Sequence, residues 1–123
     1  MGAMTGTVGV LIVDDQEPFR SAARLVVEMT EGFEVVGEAL DGERALDLVA
    51  ALSPQLVLMD ISMPGIDGLE ATRRIVRDHP EVRVVVLSTY AEYEEQAMDA
   101  GAVAFVSKSA FDPGAIIAAW SSR

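Results

Sequence analysis

Five short apolar runs alternate with longer segments of helical period, and four of the five runs stop on a charged or hydroxyl side chain. The runs cover residues 8–13, ending at Asp14-Asp15; 33–39; 56–59, ending at Asp60; 84–87, ending at Ser88-Thr89; and 103–107, ending at Lys108. Nearly continuous aliphatic and β-branched runs of this length read as strands buried on both faces. Between them, Phe19, Ala22, Ala23 and Val26 recur at i, i+3, i+4, i+7 behind Pro18, a residue suited to a first helical turn. Ala45, Leu48, Val49 and Leu52 make a second stripe, and Leu69, Thr72, Ile75 and Val76 a third. Tyr93, Ala97 and Ala100 mark a short fourth helix closed by Gly101. Pro113, Ile116, Ile117 and Trp120 mark a fifth, with Asp112 as its N-cap.

Five strand-then-helix units in succession predict a parallel sheet with helices on both faces. The expected fold is α/β, a doubly wound five-stranded parallel sheet of flavodoxin-like type. Its strand order would be 2-1-3-4-5, with a ligand crevice outside the carboxyl ends of strands 1 and 3. Strand order comes from precedent at this chain length and not from any residue. No linker, repeat or low-complexity segment interrupts the pattern, so residues 8–123 read as one domain. Residues 1–7 read as a disordered or cloning-derived segment, because a second Met at position 4 makes Met1 to Ala3 look appended.

Composition narrows the function classes. A net charge of −11 argues against this domain contacting nucleic acid directly, since phosphate backbones are gripped by clustered Lys and Arg. The absence of Cys removes disulfides and thiolate metal sites, which fits a cytoplasmic location. The amino terminus is no signal peptide, and no apolar run approaches the ~18 residues of a membrane helix. Among nine basic residues Lys108 is the only Lys, and it stands at a strand end.

In a parallel sheet all carboxyl ends share one edge. Asp14, Asp15, Asp60, Ser88 and Lys108 therefore become neighbours in space. Two unpaired carboxylates ~5 Å apart repel by about 3 kcal/mol at an effective dielectric of ~20. A divalent cation relieves that repulsion, and an all-oxygen set of this charge suits Mg²⁺, which accepts one or two carboxylates plus a phosphate. A carboxylate such as Asp60 is a competent nucleophile for phosphoryl transfer and needs no general base, being already ionised. Lys108 offers a compact positive charge to a phosphoryl oxygen, and the Ser88 hydroxyl offers a hydrogen bond.

Each of these residues has an ordinary reading as well. Asp14 and Asp15 can cap the first helix, Asp60 can open the Met63-Pro64-Gly65 turn, Ser88 and Thr89 can sit in a turn, and Lys108 can be solvated. Phe105 is core on almost any reading, and His79 before Pro80 is a solvated helix-end residue. Taken singly, the ordinary readings win; the conjunction on one sheet edge favours phosphoryl chemistry. A phosphatase of the haloacid-dehalogenase type would want a second carboxylate two residues after Asp60, where this chain has Ser62. A receiver-like interaction module that is never phosphorylated is the alternative that remains.

The segments Val10-Leu11-Ile12-Val13-Asp14-Asp15, Met59-Asp60-Ile61-Ser62-Met63-Pro64-Gly65-Ile66-Asp67-Gly68 and Ala104-Phe105-Val106-Ser107-Lys108 resemble receiver domains of bacterial two-component response regulators. Val35-Val36-Gly37-Glu38-Ala39 followed by Asp41-Gly42 is similar to the NarL/FixJ (LuxR-type) branch. The resemblance implies that Asp60 is the phosphoacceptor and that Asp14, Asp15, Asp60 and the Ser62 backbone carbonyl bind Mg²⁺. It further implies that Ser88 and Lys108 bind the phosphoryl group and that Ser88 and Phe105 form a switch pair. The partners it implies are a sensor histidine kinase, a second copy of the chain, and an output domain that controls transcription. It implies a signalling domain that gains and loses its own phosphoryl group, not a turnover enzyme, and no membrane partner. Two departures stand out: Ser109 replaces the Pro that often follows the family's Lys, and the Ser88-to-Gly101 segment is a couple of residues short.

Overall fold

The computed structural model describes residues 6–122. It contains strands β1 (Val8–Val13), β2 (Phe33–Ala39), β3 (Leu56–Asp60), β4 (Arg83–Ser88) and β5 (Ala104–Ser107). These alternate with helices α1 (Glu17–Glu28), α2 (Gly42–Leu52), α3 (Gly68–Asp78), α4 (Glu94–Asp99) and α5 (Pro113–Trp120). All strand pairs are parallel and the order is β2-β1-β3-β4-β5, as expected. Most of the segment expected to be disordered or cloning-derived, residues 1–5, lies outside the described residues. Thr7 at its end donates its hydroxyl to Glu34 at 2.6 Å.

The central strands are buried except at the first residues of β1 and β4, Val8 and Arg83, so their side chains form a core on each face. Leu11, Val13, Val57, Met59 and Val84 pack with Ala45 and Val49 of α2 and Ala71 and Ile75 of α3. Val10, Ile12, Leu56, Leu58, Val85 and Leu87 pack on the other face with Ala23 and Val27 of α1 and Ile116 and Ala119 of α5. Full burial of aliphatic side chains of this size stabilises by roughly 1.5–3 kcal/mol each before chain entropy is charged.

The sequence stripes need small corrections. On α1 the buried residues are Ala23 and Val27, while Ala22 faces solvent. On α5 Ile116 and Ala119 are buried and Ile117 is 52% exposed. Two strands run one residue further than expected, so Asp60 and Ser88 are the last residues of β3 and β4. The helix after β4 is indeed short: a single 3-10 turn (Ala91–Tyr93) precedes the six residues of α4. Gly101 follows at φ 109, a left-handed conformation that a Cβ disfavours. Asp112 caps α5 as expected, accepting from the Ala115 amide at 2.8 Å. No cis peptide bond occurs among the described residues, so Lys108-Ser109 is trans.

Candidate functional site

Strand register brings the polar ends together. Val13 pairs with Met59, so Asp14 lies alongside Asp60. Asp60 pairs with Leu87, and Ser88 follows; Ser88 pairs with Ser107, and Lys108 follows. Parallel pairing aligns strand ends, and this register leaves no more than a one-residue offset between neighbours.

Asp14, Asp15 and Asp60 each present a carboxylate oxygen within 4.8 Å of the other two. Asp14 is 1% exposed and Asp60 7%. From the edge strand, Lys108 reaches past β4 to both: its Nζ lies 2.8 Å from Asp14 Oδ2 and 3.2 Å from Asp60 Oδ1. The same amine lies 4.4 Å from the centre of the Phe19 ring. The ordinary reading of Lys108 as a solvated surface group therefore fails, since its side chain keeps only 16% of its exposure.

Electrostatics follow from this packing. Burial raises the Asp60 carboxyl above its usual range and the negative charge of Asp14 raises it further; Lys108, by charge and hydrogen bond, opposes both. For Lys108, burial alone would pull the amine down. The hydrogen bond to Asp14 and the charges of Asp60 and Asp14 outweigh burial and leave it above its usual value. One ammonium thus serves two buried carboxylates while a third, Asp15, stands half-buried beside them. The cluster is short of positive charge by two, which suits a hard divalent cation bound through oxygen.

The loop from β3 to α3 is fixed by close approach. A Cβ on Gly68 would fall 1.8 Å from the Asp60 carbonyl oxygen, so only glycine permits this turn. The Gly68 amide then donates to the Ile61 carbonyl at 2.9 Å, and Asp67 caps α3 through the Glu70 amide. Ser62 lies exposed in this loop, two residues beyond Asp60.

Asp14 does not cap α1. The N-cap position is Gln16, which makes no side-chain cap, and Asp14 Oδ1 accepts from the Gln16 amide in a tight turn. Ser88 is 3% exposed, and its Oγ accepts from the Tyr90 amide at 3.0 Å, so the ordinary turn reading describes its present bonding. Phe105 is half-buried against Ile61, Leu69, Val86, Ala97 and Ala102, with Tyr93 beside it.

Three contributors escaped the sequence reading. Phe19 was assigned to a core stripe, yet its ring also faces the Lys108 amine. Arg20 donates to the Asp14 carbonyl at 2.8 Å and pairs with Glu38 of β2, which Arg24 also engages. Tyr90 holds Ser88 through its backbone, which no side-chain pattern announces.

Comparison with known proteins agrees with this geometry. The family described as response regulator receiver domain matches residues 10–121. Response regulator GacA of Pseudomonas aeruginosa is 42% identical over 105 residues, 84% of this chain and 49% of that protein. Response regulator UvrY of Escherichia coli (strain K12) is 43% identical over 105 residues, 84% of this chain and 48% of that protein. The chain spans about half the length of these curated relatives. Among solved structures, the signal receiver domain of a NarL response regulator from Mycobacterium tuberculosis matches with a TM-score of 0.86 at 31% identity, covering 96% of this chain and 99% of that one.

Proposed function

Because the chain belongs to the response regulator receiver domain family, we propose that Asp60 is its phosphoacceptor and that residues 8–123 form the receiver domain. The observation that carries this reading is the Lys108 amine standing between Asp14 and Asp60, with Asp15 completing a three-carboxylate cluster.

An ionised Asp60 oxygen attacks the phosphorus of a phosphohistidine on a sensor kinase. The new O–P bond forms as the P–N bond breaks, and its electron pair leaves with the imidazole. No proton is removed from Asp60. Lys108, already within 3.2 Å of Asp60 Oδ1, shifts its charge onto a phosphoryl oxygen, and the Ser88 hydroxyl turns to donate to another. The all-oxygen donor set fits Mg²⁺: Asp14, Asp15, Asp60 and the Ser62 carbonyl would hold it, and it would offset the charge of the phosphoryl oxygens.

Turning Ser88 toward Asp60 breaks its bond with the Tyr90 amide and frees the 3-10 turn that follows. Phe105, packed among Ile61, Leu69 and Ala97, then moves into the released space, which alters the surface over α4 and β5. That surface, a second copy of the chain and an output domain in the longer protein form the readout, in the cytoplasm. Among the described residues no helix is long and apolar enough to cross a membrane.

Acetyl phosphate with Mg²⁺ should add one phosphoryl group to the protein and none to Asp60→Asn, read by intact-mass spectrometry. An equal gain in the variant removes Asp60 from the role. No gain in either protein favours the interaction-module alternative.

A further inference from the structure

The Lys108 amine has three N–H donors and two carboxylate acceptors, at 2.8 Å and 3.2 Å. On another side of it is the face of an aromatic ring, 4.4 Å from the amine to the ring centre. That separation lies inside the ~6 Å range over which a ring quadrupole attracts an ammonium. The ring belongs to Phe19 in the first turn of α1, just after Pro18. It packs against Phe111 with centroids 6.3 Å apart, and its neighbour Arg20 ties that turn to the Asp14 carbonyl and to Glu38.

We propose that Phe19 is a positioning residue for phosphoryl transfer: its ring holds the Lys108 amine over Asp14 and Asp60 while leaving it free to transfer its charge to the phosphoryl group. This inference rests on the assignment of Asp60 as phosphoacceptor.

The chemistry favours a ring at this place over a polar group. Lys108 must cross from the edge strand, and its flexible stem carries ~2 kcal/mol of rotamer entropy. A third carboxylate in contact with the amine would restrain it but would also compete with the incoming phosphoryl oxygens. A water contact would compete less and restrain nothing. The ring face attracts the ammonium without a lone pair that must be given up, so the amine can exchange carboxylate for phosphoryl oxygen without losing its third neighbour. The contact joins α1 to the end of β5, so it also carries the state of Lys108 to the first helix.

A test follows from Lys108 being the only lysine, which gives one side-chain ammonium signal in a ¹⁵N- and ¹³C-labelled sample. In the metal-free wild type its terminal methylene and ammonium resonances should be shifted upfield by the ring current. Phe19→Tyr should keep that shift and Phe19→Leu should abolish it. With acetyl phosphate and Mg²⁺, Phe19→Leu should slow phosphorylation about fivefold, equivalent to ~1 kcal/mol of lost cation–π attraction, and Phe19→Tyr should stay within about twofold. In a Lys108→Met background Phe19→Leu should cause no further slowing, because the ring acts only through the amine. Unshifted Lys108 resonances in the wild type, which need no variant to fold, overturn the proposal. So does an equal slowing by Phe19→Leu with and without Lys108. If the wild type takes up no phosphoryl group, the Asp60 assignment falls instead, and the resonance shift still decides whether ring and amine are engaged.

Discussion

Lys108→Met removes one charge and keeps nearly the same length of apolar stem, so its cost isolates the ammonium. Without that charge, Asp14 and Asp60 remain buried with carboxylate oxygens no more than 4.8 Å apart. At that separation and an effective dielectric of ~20 their repulsion is about 3.5 kcal/mol. Removing one partner from a buried ion pair generally costs ~3–5 kcal/mol. Two effects reduce the figure here. The Lys108 side chain keeps 16% of its exposure, so part of the charge is solvated. The protein can also relieve the repulsion by protonating a carboxylate, which at pH 7 costs at most ~4 kcal/mol from an ordinary pKa and less from a raised one. A loss of about 2–4 kcal/mol is expected in metal-free urea unfolding at pH 7. In an Asp60→Asn background, with one repelling charge gone, the same substitution should cost less than half as much. Mg²⁺ should stabilise Lys108→Met more than the wild type, where ten times the dissociation constant of ligand contributes about 1.4 kcal/mol. Asp15→Ala should remove the Mg²⁺ response from both. A metal-free loss below about 0.5 kcal/mol refutes the reasoning, since a loss that small falls within the ~0.2–1 kcal/mol typical of solvent-exposed pairs. A loss that is the same with Asp60 and with Asn at that position refutes it equally.

Three further outcomes are expected. The folded-state pKa of Asp60 is raised, so the native protein holds that proton more tightly than the unfolded chain does; Asp60's contribution to metal-free stability is full below the unfolded value near 3.9 and is lost as pH rises through the folded value. Asp60→Asn should flatten that part of the pH–stability curve measured by urea unfolding, and an unchanged curve would show that Asp60 is not perturbed. Gly68→Ala should destabilise by about 3 kcal/mol or more, because its Cβ would fall 1.8 Å from a backbone oxygen that must move; a change under 1 kcal/mol would show the turn to be adaptable. Crystals grown with beryllofluoride and Mg²⁺ should show Ser88 turned from the Tyr90 amide toward Asp60 and Phe105 in a new rotamer, and unchanged rotamers free of lattice contacts would remove this pair as the switch.

Local pattern in the chain was enough to locate all five strands and the polar residues at their ends. A strand buried on both faces must be apolar along its length, and the first charge marks where it leaves the core. Thus Val8–Val13 was legible to the residue, the less buried edge strand Phe33–Ala39 was legible in spite of Glu34 and Glu38 within it, and Asp14, Asp60, Ser88 and Lys108 were legible as a group because parallel strands share one carboxyl edge. Asp112 as a cap and Gly101 as a stop were legible because their work is done within three or four residues. The exposed side of α1 was not. Ala is small enough for either face, so the choice between Ala22 and Val27 was made by the fit of α1 against Val10, Ile12 and α5. Strand order likewise was not read from any residue, because which strands become neighbours is settled by how the crossovers pack.

The partner of Lys108 is the clearest case. Asp14 lies 94 residues away along the chain, and that ion pair exists only once β1, β3, β4 and β5 have closed in register. The same holds for Phe19, which has the spacing of a core residue and acquires its second neighbour from the far end of the sheet. Side-chain chemistry is written residue by residue, and so the sequence determines what each strand end can offer. Which offers meet is a matter of distance across the sheet, and distance is decided by packing.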